Sequence, residues 1–178
     1  MLQAEHGPDG LAWLVTWDEA VADAVTDEVT RIVEASPRRE DIEATLGRSG
    51  ISVLVDDPEA AMVVANAIAP EHLELLCADA EGLVELVRHA GAVFCGPHSP
   101  ASLGDYWAGP SHVLPTFGSA RFAGALTPDD FTKPVHVITA TAEGFAVAAP
   151  HVVALAEAEG LTAHADSIRL RQAEVPAR

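Results

Sequence analysis

Short apolar runs alternate along the chain with longer stretches whose apolar residues recur every three or four positions. The run "LAWLV" (11–15) predicts a buried strand, and "ISVLV" (51–55) and "AVFCG" (92–96) predict two more. After the first, Thr16 and Glu19 form a T-x-x-E capping box that opens a helix with Val21, Val25, Val29 and Ile32 on its apolar face. Ser36–Pro37 punctuates, and "RREDIEATLGRSG" (38–50) predicts a second helix closed by glycine. Asp57 as cap and Pro58 at the first helical position start a third helix, and "DAEGLVELVRHAG" (79–91) predicts a fourth. Strands recurring between helices imply an α/β fold with a mostly parallel sheet.

The third helix runs into "AIAPEHLELL" (67–76). Pro70 donates no backbone hydrogen bond and disfavours helix at Ala69, so the chain is expected to break there. Glu71 and His72 are then expected to open a new helical turn, a position that suits an acid–base pair and equally a surface cap. From 97 to about 134 glycine and proline recur and the periodicity is lost. An irregular segment of that length inside a compact domain is usually functional. A last helix is predicted over 142–159, leading into "LTAHADSIRLR" (161–171), and "EVPAR" (174–178) is expected to fray. The opening "MLQAEHG" reads as the end of a helix with nothing before it, and three strands make a thin doubly wound sheet. The chain reads as the later part of something larger.

Composition narrows the class. With 178 residues, 49% of them hydrophobic, the chain can bury a core in one domain with a small appendage. Its formal net charge of −17, from 27 acidic and 10 basic residues, argues against nucleic acid or an anionic membrane surface as partner. Cys77 and Cys95 lack CxxC spacing and read as buried core thiols of a reducing compartment. No stretch approaches a membrane span and the N-terminus lacks a signal-peptide layout, so the cytoplasm is the expected location.

Several polar residues are candidates for chemistry. Gln3 and His6, spaced i, i+3, share a helix face, which serves two metal ligands or an ordinary solvated turn equally well. Asp105 lies in "SLGDYWAGPSHVLPT" (102–116), either as a helix cap or beside a pocket wall of Tyr106, Trp107 and His112. His89 and His164 fit charge compensation at helix C-termini, Glu159 fits a solvated face, and His98, His136 and His151 have no supporting constellation. There is no HExxH, Walker loop, CxxC pair or GxGxxG. These residues alone define an α/β domain with scattered histidines and carboxylates, suited to a zinc or general-base site.

Taken together and in order, "QAEHG" (3–7), "ANAIAPEHLEL" (65–75), "GAVFCG" (91–96), "LGDYWAGPSHVLPTFGSARF" (103–122) and "EGLTAHADSIRLR" (159–171) resemble histidinol dehydrogenase. The resemblance covers essentially the whole chain but only the C-terminal part of the family, whose members are more than twice as long. It implies two successive NAD-linked oxidations of L-histidinol to L-histidine, the last steps of histidine biosynthesis. It also implies a zinc-dependent homodimer that exchanges C-terminal tails. By resemblance the zinc ligands fall on Gln3, His6 and Asp105, with His164 supplied by the partner subunit. His72 becomes the general base, and Glu71 activates the water that adds to the aldehyde. His112 and, from the partner subunit, Glu159 fall on substrate contacts, as do His6, Glu71, His72, Asp105 and His164.

The implied fold is an incomplete Rossmann-like parallel sheet flanked by helices over residues 1–126. A small C-terminal helical tail domain over 127–178 is exchanged in the dimer. The missing N-terminal portion holds most of the family's NAD site, and no NAD-binding residue is identifiable in this chain. The alternative is a non-catalytic zinc- or imidazole-binding module descended from the enzyme.

Overall fold

The computed structural model describes residues 1–7 and 10–174, so all but the first residue of "EVPAR" lies outside the described residues. Among the described residues four strands form two parallel pairs. β1 (Ala12–Thr16) pairs with β2 (Gly50–Leu54), Ala12 opposite Gly50 and Thr16 opposite Leu54. β3 (His72–Leu75) pairs with β4 (Ala92–Cys95), His72 opposite Ala92 and Leu75 opposite Cys95. This is the expected α/β architecture of short parallel strands flanked by helices, built as two ladders instead of one sheet. Parallel neighbours need a crossover. Helices α2 (Glu19–Ala35) and α3 (Arg39–Ser49) cross from β1 to β2, α4 (Pro58–Ile68) leads to the second pair, and α5 (Ala80–Val84) lies between β3 and β4. A single turn, α1 (Leu2–Glu5), precedes β1.

The helix caps differ from expectation in three places. α2 is capped by Asp18, whose carboxylate accepts from Ala20 N at 2.9 Å and Val21 N at 3.4 Å. Thr16 is not the cap because β1 runs through it; its hydroxyl accepts instead from Asp18 N. Val21, predicted on the apolar face, is 45% exposed, and Val33 is the residue of α2 that is buried. Gly50 does not close α3 in a left-handed conformation: its φ is −74° and it opens β2. The predicted helix over 79–91 shrinks to α5, capped by Asp79, so His89 does not sit at a helix end. Asn66 secures the chain there: its amide donates to Leu86 O, and its oxygen accepts from Arg88 N and His89 N. α4 starts as predicted, with Asp57 accepting from Ala60 N at 2.7 Å and Pro58 first in the helix. It ends at Ala69, buried and left-handed at φ 53°.

The irregular segment after β4 contains α6 (Ala101–Tyr106) and two 3-10 turns, Ser119–Arg121 and Pro128–Phe131. Residues Met1–Phe131 form one compact unit and those from Thr132 onward a second. Among the described residues the first unit has two cores. Met62, Ala65, Leu75 and Ala80 pack with Leu73, Val93 and the two free thiols of Cys77 and Cys95. Ala4, Val33 and Ile42 pack with Met1, Ala12, Val29 and Leu46. The second core seats α1 against α3, and two hydroxyls one turn apart fasten the chain between α1 and β1. Thr45 Oγ1 donates to Gly7 O at 2.6 Å and Ser49 Oγ to Gly10 O at 2.5 Å.

The second unit is a helical hairpin of α7 (Ala142–Ala158) and α8 (Thr162–Glu174), turned by Gly160 at φ 72°. Alanines line its buried seam, Ala149, Ala156 and Ala165 each being at most 7% exposed. Arg169 of α8 is paired with Glu157 of α7. Among the described residues no helix is long and apolar enough to cross a membrane.

Thr45 is fully buried, and valine at that position keeps its shape while losing the hydroxyl. Thr45→Val is expected to lower the unfolding free energy by about 1–2 kcal/mol. Urea denaturation measures this, with an unchanged slope as the sign that only stability moved.

Candidate active site

Glu71 and His72 do not open a helical turn; His72 is the first residue of strand β3. The ladder to β4 captures the chain directly after Pro70. Gly91 N donates to Pro70 O at 2.9 Å, and Ala92 N to Glu71 O at 2.8 Å. Residue 91 must be glycine for this approach, because a Cβ there would stand 2.6 Å from Glu71 O. Side chains alternate along a strand, so Leu73 and Leu75 enter the apolar core while His72 and Glu74 share the opposite face. Phe94, opposite Glu74 in the ladder, lies on that face too, its ring centroid 5.9 Å from that of His72.

Three elements bring polar groups to the His72 ring, whose side chain is 8% exposed. From α1, Gln3 Nε2 lies 3.0 Å from Nδ1. From the turn before β3, Glu71 Oε1 lies 4.0 Å from the same nitrogen. From α6, Asp105 Oδ1 lies 3.8 Å from Nε2, within ion-pair range and longer than a hydrogen bond. The Gln3 amide is hydrogen-bonded to Nδ1, with the donor and acceptor roles following the ring's tautomer, and Nε2 faces Asp105. A shielded imidazole held by one amide, with a carboxylate on each side, is equipped to take up and pass on a proton.

The other predicted residues stand elsewhere. His6 is exposed at the C-terminal end of α1, and His112 is exposed in the chain after α6. Asp105 is inside a helix and is not a cap, and the Tyr106 and Trp107 side chains beside it are 87% and 86% exposed. Glu159 ends α7 and His164 sits in the first turn of α8; both are exposed residues of the second unit. Glu74 is not among the residues that sequence reasoning singles out, although its spacing of two from His72 is the signal that could find it.

Asp105 offers a carboxylate of the kind that binds zinc, whereas an amide oxygen such as that of Gln3 is a harder donor and suits zinc only beside imidazole or thiolate ligands. Gln3 spends its nitrogen end on His72, and its oxygen end is the one with affinity for a metal. Among the described residues no three His, Cys, Asp or Glu side chains come together as a metal site. A dinucleotide fits less well. A pyrophosphate needs the free N–H groups of a helix N-terminus after a glycine-rich turn. The turns after β1, β2 and β3 contain no glycine, and the carboxylates of Asp18, Asp57 and Asp79 already take N–H groups at the starts of α2, α4 and α5. The turn after β4 has the single glycine Gly96, and Glu74 takes the Ala101 N–H at the start of α6.

Fold and cluster together define an α/β protein with a shielded imidazole, flanked by an amide and two carboxylates, at the start of a parallel strand. The chain belongs to the histidinol dehydrogenase family, whose model matches residues 1–172. It is 49% identical to the histidinol dehydrogenase of Moorella thermoacetica over 170 residues, covering 96% of this chain and 40% of that protein. It is 48% identical to the enzyme of Thermobifida fusca over 171 residues, covering 95% of this chain and 39% of the relative. The crystal structure of histidinol dehydrogenase from Elizabethkingia anophelis matches with a TM-score of 0.89 at 32% identity, covering 97% of this chain and 40% of that one. The chain thus corresponds to the C-terminal part of the family and spans about two fifths of the length of the curated relatives it matches.

Replacing Gly91 by alanine is expected to force β3 and β4 apart beside Glu71 and to destabilise the first unit by about 1–3 kcal/mol or more. Calorimetric melting should show the loss.

Proposed function

We propose that this chain is the catalytic C-terminal portion of a histidinol dehydrogenase, acting in the cytoplasm in the NAD-linked oxidation of L-histidinol through the aldehyde to L-histidine. The observation that carries this reading is the convergence of Gln3, Glu71 and Asp105 on one shielded imidazole, from three separate elements, in a chain of that family. His72 is the general base, accepting the proton of the substrate alcohol on a ring nitrogen. Glu71, 36% exposed at the side chain, has the access to solvent needed to draw a proton from the water that adds to the aldehyde. His112 contacts the substrate.

Gln3, His6 and Asp105 would hold zinc, with the partner's His164 as fourth ligand and the partner's Glu159 reaching the substrate in a tail-exchanged homodimer. When bound, the metal supplies a Lewis-acid anchor for the amino and imidazole nitrogens of L-histidinol. The dinucleotide's anchor is assigned to the N-terminal portion that this chain does not span, in keeping with the aspartate caps on its own helices. Two domains, 1–126 and 127–178, divide the work: the first carries the acid–base pair and the second the exchanged tail.

The aspartate caps also favour a second reading, a zinc- or imidazole-binding module without turnover. NADH formation from L-histidinol decides between the two. It is measured with zinc, for this chain alone and mixed with a separately produced N-terminal portion of a family member. Turnover in the mixture, reduced about 10²–10⁴-fold by His72→Asn with zinc retained, is the expected result. No turnover from two folded, zinc-loaded parts would favour the binding module. His164→Ala should lower zinc retention in a dimer, and unchanged retention would remove it from the ligand set.

A further inference from the structure

We infer that Glu74 is the positioning residue of this site: by accepting the Ala101 N–H it lays α6 across the β3–β4 pair and aims Asp105 at His72. The inference rests on the roles proposed above for Asp105 and His72. A helix of six residues is too short to hold itself in place, so its position is set by tertiary anchors. The residue before it is Pro100, which has no side-chain group to cap the first turn. The Glu74 carboxylate reaches over from β3, Oε1 accepting from Ala101 N at 2.8 Å, and Ala101 is 3% exposed.

A second anchor lies one turn further on. A Cβ at Gly104 would meet the Phe94 ring at 2.8 Å, so the absence of a side chain lets the helix rest on that ring. Phe94 is the ladder partner of Glu74. The two anchors therefore spring from one rung of the β3–β4 pair, and Asp105, next to Gly104, is delivered to the His72 ring 3.8 Å away. The strand that carries the imidazole thus also carries the group that places its carboxylate neighbour.

The test uses the full chain, labelled for NMR, with three variants at one position. Glu74→Ala is expected to speed exchange of the Ala101 amide at least about tenfold and to abolish the nuclear Overhauser contact between the His72 ring and the Asp105 β-protons. Its zinc affinity, read by chelator competition, should fall about tenfold. Glu74→Gln, whose amide oxygen accepts the same N–H, should retain all three properties, which separates the hydrogen bond from the charge. Glu74→Asp, one methylene short, should behave like alanine and serves where alanine fails to fold. Persistence of the His72–Asp105 contact in folded Glu74→Ala or Glu74→Asp overturns the inference. Loss of that contact in Glu74→Gln overturns it as well. Asp105→Asn with undiminished zinc affinity would sink the ligand role of Asp105, while the NMR contact still decides the role of Glu74.

Discussion

Side chains of a strand leave alternately by its two faces, and on β3 that alternation determines what the first unit can present. Leu73 and Leu75 are drawn into the core with Met62, Val93 and Cys95. Full burial of an aliphatic side chain is worth about 1.5–3 kcal/mol, and Leu75, 6% exposed, gains most of that with Leu73 adding a part, which pins the register of the strand. His72 and Glu74 are thereby forced to the other face. A slip by one residue would send the imidazole into a hydrocarbon core and two leucines towards α6. The position of the imidazole is thus a consequence of where its apolar neighbours are placed.

The groups around that ring come from distant parts of the sequence and depend on contacts of their own. Gln3 reaches it from a helix of four residues, too short to persist alone. That turn lasts because Ala4 is sealed into the second core and because Thr45 and Ser49 of α3 hold the carbonyls of Gly7 and Gly10. Asp105 comes from a helix barely longer. Both contributors are short elements clamped onto a framework of longer helices and paired strands, so the geometry at His72 is only as firm as those clamps.

Much of the fold is legible in the sequence because its signals are local. The runs at 11–15, 51–55 and 92–96 are strands, Asp57 and Pro58 open α4, and the helix over 142–159 lies where periodicity puts it. Pattern places the opening of α2 two residues early, since a threonine that ends a strand carries the same capping signature as one that starts a helix. β3 escapes the pattern although "HLEL" alternates cleanly: four residues after a long apolar helix and a proline look like that helix resuming, and only the ladder to β4 shows otherwise. The cluster itself is less legible. Spacing links Gln3 with His6, yet the structure links Gln3 with His72, sixty-nine positions away, a contact that no local pattern encodes. The roles of His112, Glu159 and His164 rest on family resemblance.

The three aspartates that cap α2, α4 and α5 bear on kinetics as well as on structure. A helix start normally offers partial positive charge to passing anions, and here each is neutralised from within. On a chain of formal charge −17 this leaves a field that repels polyanions and speeds the arrival of small cations. Encounter rates with an ammonium-bearing molecule and with a phosphate-bearing one should therefore diverge in dilute buffer and converge as added salt shortens the Debye length from roughly 30 Å to about 8 Å.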